Sequence, residues 1–484
     1  MIIDQSIATQ ASHGPRSLRE AWLALAGLSA VFLFEMLDNS ILNVALPTIG
    51  RDLHASTVGL QWVTASYAVV FGGAMLAFGA LADRVGRRRV MLVGLVLLGL
   101  ASLATAFVTG AEQLVAVRVV MGIAAAMTTP GSMALAFRLF RDDGLRVRAL
   151  TLISTAGLVG LAIGPTVGGL VLAFAPWQVL LLVNVPIAVL AFIGIRFGVA
   201  ADLAEELHRD PVDVAGALLG TTAIVLALVA PTLFVRDGIT GWAPWAVTAS
   251  ALLAASFFVV RERSARHPML DLALVTRPLV SSGLAFKAAT GLATAGMGYL
   301  VTLQLQLEWG WPPALAAVGM LPQVVVLLAG GRFVGPFVQR FGLDRAASLS
   351  AAAVVVGLAV FALLGGLGYG WVALALVLVA AGLRVSGVVA GTNVLRGLPE
   401  NRTTIGAALV DTASEVASAA GVAVAGTVLS ALFVGSIATS GWTPQQTGQF
   451  QHAVVVGGLA LTGVAGALVA FGFLRTRGAA ATTP

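Results

Sequence analysis

The chain has no cysteine, which excludes disulfides, thiol nucleophiles and thiolate metal sites. Its five histidines, His13, His54, His208, His267 and His452, all fall in loops or near the ends of apolar runs. A metalloenzyme built inside a membrane would need several of them at membrane depth, so neither a metal nor a cofactor is expected. Lysine occurs once, as Lys287, and the other basic residues are arginines, a bias typical of a GC-rich bacterial genome. No Gly-x-x-x-x-Gly-Lys-Ser/Thr phosphate loop exists and Lys287 has the wrong neighbours for one, so this chain has no ATP-hydrolysing site of its own. Charge itself is scarce, at 10% of residues against roughly 25% in soluble domains.

Hydrophobic residues take that place, at 58% of 484, and they come in long runs. A helix needs about 20 residues to cross the hydrocarbon core. Fourteen such runs begin near residues 20, 57, 88, 112, 148, 177, 213, 242, 278, 312, 345, 370, 405 and 450. The first is too long for a cleaved signal peptide and lacks a small-residue cleavage site, so it is expected to remain as a span. An even number of spans puts both termini on one side. Of the 28 basic residues, only Arg51 and Arg236 lie in the opposite loops, and Arg118, Lys287, Arg332 and Arg384 fall inside spans. The rest flank the termini or the loops on the same side, which the positive-inside rule makes cytoplasmic. The expected location is therefore the bacterial cytoplasmic membrane, with many passes and both termini inside. The net charge of +6 is a topology signal; no soluble segment is long enough to carry a nucleic-acid footprint, so no nucleic-acid partner is expected.

Between the second and third runs lies Gly79-Ala-Leu-Ala-Asp83-Arg84-Val-Gly86-Arg87-Arg88-Arg89, with five charges and two glycines. A worn copy, Gly335-Pro-Phe-Val-Gln339-Arg340-Phe-Gly342-Leu-Asp344-Arg345, follows at the foot of a later run. The repetition predicts two related halves, at 1–199 and 278–484. Between them, 200–277 reads as a two-helix insertion without buried charge. It is flanked by an acidic connection from Ala200 to Asp213 and an amphipathic one from Arg261 to Pro278 suited to the membrane surface.

Ionisable residues inside spans are the candidates for chemistry, because a charge there costs roughly 2.5 to 3.5 kcal/mol on insertion scales. Asp38 in the first span is the leading proton carrier, with a structural ion pair as the plain alternative. Glu35 lies three residues earlier on the same helical face. Asp411 and Glu415 form an i,i+4 pair in the thirteenth span, either lining a binding cavity or a solvated vestibule. Arg118 needs an acid or several acceptors near it. Lys287 neutralises a carboxylate, selects anionic groups or snorkels to the interface; with Arg384 it has no assigned role. Tyr67, Tyr299 and Trp62 are either surfaces for a flat or cationic ligand or packing and interfacial anchors.

Four ordered motifs carry a resemblance over nearly the whole chain. They are Leu37-Asp38-Asn-Ser-Ile-Leu-Asn43-Val-Ala-Leu-Pro47, the Gly79 to Arg89 segment, Arg118 with Gly122, and Gly160-x-x-x-Gly164-Pro165-x-x-Gly168-Gly169. Together they resemble the fourteen-spanner drug:proton antiporter family of the major facilitator superfamily. Asp411-Thr-Ala-Ser-Glu415-Val is similar to the acidic span of pumps that export quaternary ammonium compounds. The resemblance implies an all-α membrane protein of the major facilitator fold: two six-helix halves plus two inserted helices. It implies a secondary transporter rather than an enzyme, exporting amphipathic cationic compounds in exchange for protons by alternating access, and working as a monomer in the lipid bilayer. Proton coupling would fall to Asp38, Glu35, Arg118, Asp411 and Glu415, and substrate binding to those acids with Tyr67 and Tyr299. Gly79, Asp83, Arg84, Gly86, Arg87 and Arg88 would form the cytoplasmic gate. Gly160, Gly164, Pro165, Gly168 and Gly169 would form the antiporter motif, a close-packed and bent stretch. Export of an endogenous antibiotic, lipid or metabolite is the nearest alternative; a sensor or scaffold that transports nothing is the remote one.

Overall fold

In the computed structural model of the chain, the described residues are 15, 17–140, 142–202, 213–265, 272–398, 403–434 and 442–480. They are helical almost throughout, as a bilayer requires: without water to satisfy backbone groups, a span must pair them internally. The first half contains α1 (Trp22–Asp52), α2 (Thr57–Val85), α3 (Arg87–Ala104), α4 (Ala111–Leu139), α5 (Asp143–Val171), and the consecutive α6 (Gln178–Leu182) and α7 (Asn184–Gly198). Then come α8 (Val214–Asp237) and α9 (Trp242–Ser264). The second half contains α10 (Pro278–Leu303), a broken passage of α11 (Pro313–Gly319), α12 (Leu321–Ala329) and α13 (Gly331–Phe341), then α14 (Leu343–Leu364), α15 (Tyr369–Gly397), α16 (Thr403–Leu432) and α17 (Pro444–Ala480). Side-chain caps start several of these helices: Ser56 accepts from Gly59 N, Asp142 from Leu145 N and Asp213 from Gly216 N.

Twelve helices among the described residues are long and apolar enough to cross a membrane, or thirteen when the bent α12–α13 pair counts as one span. The fourteen expected from the sequence is not reached by that measure. The shortfall is α10, 26 residues long, whose apolar character is diluted by Lys287 and by serines, threonines and glycines. It can be that polar because protein surrounds it: most of its residues are buried, from Val280 to Leu303. A second departure concerns the gate copy. The span expected from residue 312 breaks at Gly330 with a bend of 65°, and α13, which carries Gly335 and Arg340, has no buried residue.

The two sets of helices pack in a similar pattern. In the first half α1 packs on α5 and α7, and α4 on α2 and α3; in the second, α10 packs on α16 and α17, and α15 on α12 and α14. The halves meet along α2 with α16 and along α5 with α11 and α12. Two glutamines lock this seam at the end remote from the start of α1. Gln61 donates to the Ala423 carbonyl at 3.2 Å and to Thr427 Oγ1 at 3.4 Å. Gln306 donates to the Val44 carbonyl at 2.9 Å. Helices α8 and α9 pair with each other at the periphery, and α8 lies against both α2 and α16. Thr221 of α8 donates its hydroxyl to the Gly73 carbonyl at 2.6 Å. At the foot of this pair Asp213 meets Arg261 at 3.0 Å. Burial pushes the Asp213 carboxyl up, but the Arg261 guanidinium and the Gly216 N–H outweigh burial and hold it below the usual range. Much of the two connections flanking α8 and α9 lies outside the described residues.

Candidate functional site: a buried ion pair beside a seam of acids

Asp38 sits within α1 and is fully buried. Arg118 of α4 is equally buried and forms an ion pair with it through Nη1 and Oδ2. Asn184, at the first position of α7, donates Nδ2 to Asp38 Oδ1 at 3.0 Å. Arg118 Nε donates to the Val63 carbonyl of α2 at 3.2 Å, and its guanidinium carbon lies 4.4 Å from the ring centre of Tyr67. Four helices of the first half thus converge on one charged pair. Such a pair is a poor source of stability, since desolvation consumes what attraction returns. Its environment also keeps polar capacity in reserve: Arg118 Nη2, the Tyr67 hydroxyl and Asn184 Oδ1 are buried without a partner. Each unfilled buried group costs about 1 to 3 kcal/mol. Tyr67 is therefore engaged beneath Arg118 and not presented as a free platform.

Glu35, one helical turn before Asp38, accepts from Thr129 Oγ1 at 2.8 Å and is buried. Across the seam on α16, Glu415 is buried with Oε2 lacking a partner, and Asp411 is half-buried. Glycine brings the halves together here. A Cβ placed on Gly72 of α2 would lie 3.3 Å from that of Glu415, so nothing bulky separates the helices. The charges of Glu415, Asp411 and Lys287 all act on Glu35, and that of Lys287 acts on both Asp411 and Glu415. The acids of both halves and the single lysine are thus close enough for their charges to interact. Tyr299 is fully buried on α10 with its hydroxyl unpartnered, and Trp62 is half-buried. Among the described residues no group of three His, Asp or Glu side chains is disposed to hold a metal.

The glycines of α5 explain how α1 is held. A Cβ on Gly160 would lie 2.6 Å from the Leu33 carbonyl oxygen, one on Gly164 would overlap Ser40 Oγ, and one on Gly168 would lie 2.8 Å from Ile41 Cγ1. Ser40 donates to the Gly160 carbonyl at 3.3 Å. Gly160, Gly164 and Gly168 therefore seat the stretch of α1 that bears Glu35 and Asp38, while Gly169 faces Pro313 and Ala317 of the second half. Pro165 is buried within the continuous α5.

At the foot of α2, Gly86 turns with φ 117°, a region open to glycine and strained for other residues; its missing side chain leaves room for Asp202. Asp202 accepts from Arg88 N at 3.0 Å and pairs with Arg138 at 3.6 Å. Arg88 also donates to the Ile195 carbonyl at 3.3 Å and to that of Arg196. These contacts bind α2 and α3 to α4 and the end of α7, within the first half. Gly79 makes only ordinary contact with Pro130, and Arg84 is exposed. The Asp83 side chain lies outside the described residues. In the second half Arg384 is half-buried with Nε unpartnered, its guanidinium lying over Gly331 where α12 breaks from α13. Asn184, Thr129 and Asp202 were not among the candidates read from the sequence. An asparagine and a threonine inside apolar runs are a weak signal, but a polar group at membrane depth is the kind that would have pointed to them.

A model of the Major Facilitator Superfamily matches residues 28–422. The chain belongs to that superfamily. It is 30% identical over 438 residues to the multidrug efflux pump LfrA of Mycolicibacterium smegmatis, covering 90% of this chain and 86% of that one. It is 33% identical to the cephamycin export protein CmcT of Amycolatopsis lactamdurans, over 69% of this chain and 67% of that one. Among solved structures, that of the POT family transporter PepTSo superposes with a TM-score of 0.68 at 15% identity, covering 97% and 100% of the two chains; that likeness concerns the fold. The protein is a multi-pass membrane transporter of the facilitator type, not an enzyme.

Proposed function

We propose that the protein exports amphipathic cations in exchange for protons. The observation that carries this reading is the acids at the seam: Glu415 of one half lies against Gly72 of the other, close enough for its charge and that of Asp411 to act on Glu35, beside the buried Asp38–Arg118 pair. Carboxylates contributed by two bodies can be brought together or separated when the bodies rock, which ties their charge state to conformation. A cation entering from the cytoplasm is held by these acids. Protons arriving from outside neutralise them, release the cation and favour return. Each net charge moved gains about 2.3 kcal/mol per 100 mV of membrane potential. The chain's similarity to a multidrug efflux pump supports the substrate class.

On this reading 1–199 and 278–484 are the moving halves, 200–277 is an insertion, and the unit is a monomer in the bacterial cytoplasmic membrane with both termini inside. The Gly79–Arg89 segment braces the cytoplasmic gate. The deciding experiment is efflux from proteoliposomes under an imposed proton gradient, with cationic, neutral and anionic compounds. Gradient-dependent export of cations alone is the expected result; export that ignores the gradient sinks the coupling, and equal export of anions sinks the substrate class. A second reading, export of an endogenous product, is favoured by the similarity to the cephamycin export protein and is tested by the same panel extended to such compounds.

A further inference from the structure

Lys287 is the one charged group of this seam without a place in the scheme above. It is half-buried on α10, and its ammonium has neither a hydrogen bond nor an ion pair among the described residues. Its setting follows from the packing of α10 on α16, which run in the same direction in the bundle. A Cβ on Gly291 would lie 2.5 Å from the Ser414 carbonyl oxygen, so these two positions face each other directly. One turn back on each helix brings Lys287 level with Asp411, and Glu415 lies next to Ser414. The lysine charge acts on Asp411, Glu415 and Glu35. Asp38 is already committed to Arg118 and Asn184. The two carboxylates of α16 therefore lie at the level of one cation on α10 that is locked to neither, and its charge reaches Glu35 as well.

We propose that Lys287 is a built-in competitor of the substrate: its ammonium shares the field of Asp411, Glu415 and Glu35 when the site is empty and repels the cation that enters. It thereby sets how much positive charge the site accepts. A locked ion pair would hold the acids permanently, whereas a long flexible stem lets the ammonium withdraw toward the membrane interface. The same charge partly compensates the three acids while the deprotonated site waits empty for a substrate, where bare buried charge is costly. The inference rests on the reading of these acids as a cation site.

The repulsion is Coulombic, so its energy scales with ligand charge, and fold-changes in affinity should follow a square law. Purified protein in nanodiscs is titrated with ethidium (a monocation), propidium (a dication with the same ring system) and neutral phenanthridine. In Lys287→Met we expect ethidium to bind roughly tenfold tighter, propidium roughly a hundredfold tighter and phenanthridine unchanged. Lys287→Arg, which keeps the charge, should match the wild type. Lys287→Gln is measured beside Lys287→Met so that the result does not hang on one substitution's folding, and phenanthridine binding reports an intact cavity. Unchanged cation affinity in both neutral variants, weaker cation binding, or an equal shift for all three probes would each overturn the inference. The Asp411→Asn/Glu415→Gln double variant separates the two levels. If it binds ethidium as well as the wild type, the cation-site reading itself fails. If it loses ethidium while the lysine variants bind as the wild type does, only the role of Lys287 falls.

Discussion

Arg118 and Asp38 form an ion pair in which neither side chain has any exposure. Removing one partner of such a pair leaves a buried charge uncompensated, which costs about 3 to 5 kcal/mol, while removing both often costs little. Asp38→Asn should therefore abolish proton-driven efflux and lower the melting temperature. Asp38→Asn/Arg118→Met should regain much of the stability and none of the transport. Thermal unfolding and vesicle efflux on the singles and the double decide this; undiminished gradient-driven transport by Asp38→Asn removes Asp38 from the mechanism.

Asn184 orients Asp38 through the 3.0 Å bond to Oδ1. A hydrogen bond to a charged group contributes about 1.5 to 3 kcal/mol, so Asn184→Leu should slow turnover about tenfold or more. Apparent substrate affinity should change little, because the residue touches the ion pair and not the seam. Steady-state efflux separating maximal rate from half-saturation checks it; a change confined to half-saturation would mean that Asn184 contacts substrate.

The charges of Glu415 and Asp411 reach Glu35 from the other half. Replacing both with amides should weaken transport most for dications, less for monocations, which Glu35 can still balance, and least for neutral compounds. Equal losses for all three would indicate a folding or gating defect.

Gly164 lies so close to Ser40 that a side chain cannot be added without moving α1. Overpacking of this kind costs about 1 to 3 kcal/mol. Gly164→Val should reduce transport severely although no ionisable group is altered, and Gly164→Val/Ser40→Gly should restore part of it. Failure of the second change to help would show that contact with Ser40 is not what limits the variant.

Asp213 caps α8 and pairs with Arg261, and its carboxyl is held below the ordinary value. The sign follows: the stabilisation is complete above the unfolded carboxylate value of about 3.9 and is lost as pH falls through the lower folded value. Asp213→Asn should therefore lower the melting temperature at neutral pH and make no difference at strongly acid pH. Melting curves across pH test it, and a constant difference at all pH values would assign the effect to shape instead of charge.

Much of this architecture was legible in the sequence for one reason. A bilayer forces each crossing to be a long apolar helix, so charged residues within runs stand out, and Asp38, Glu35, Arg118, Asp411, Glu415 and Lys287 could all be picked out by residue type alone. What could not be read was who meets whom. Arg118 and Asp38 come from different spans, and no local rule links them to each other or to Asn184. The broken passage escaped because Ala329-Gly330-Gly331 lies inside an apolar run, and hydrophobicity is blind to a bend. α10 was expected as an ordinary span because its length sufficed, whereas its polarity depends on neighbours that surround it.

Helix α8 touches α2 of one half and α16 of the other, and its hydroxyl bond to Gly73 attaches it to the first. If the halves rock as proposed, a rod that straddles them cannot keep both contacts, so one would have to shear at each turnover. On the proposed scheme the bond at Thr221 would keep α8 with the first half, and the α16 side would be the one that slips. The inserted pair would then behave as a hinged shutter carried by the first half, covering the line where α2 and α16 meet and shielding it from acyl chains as the second half swings.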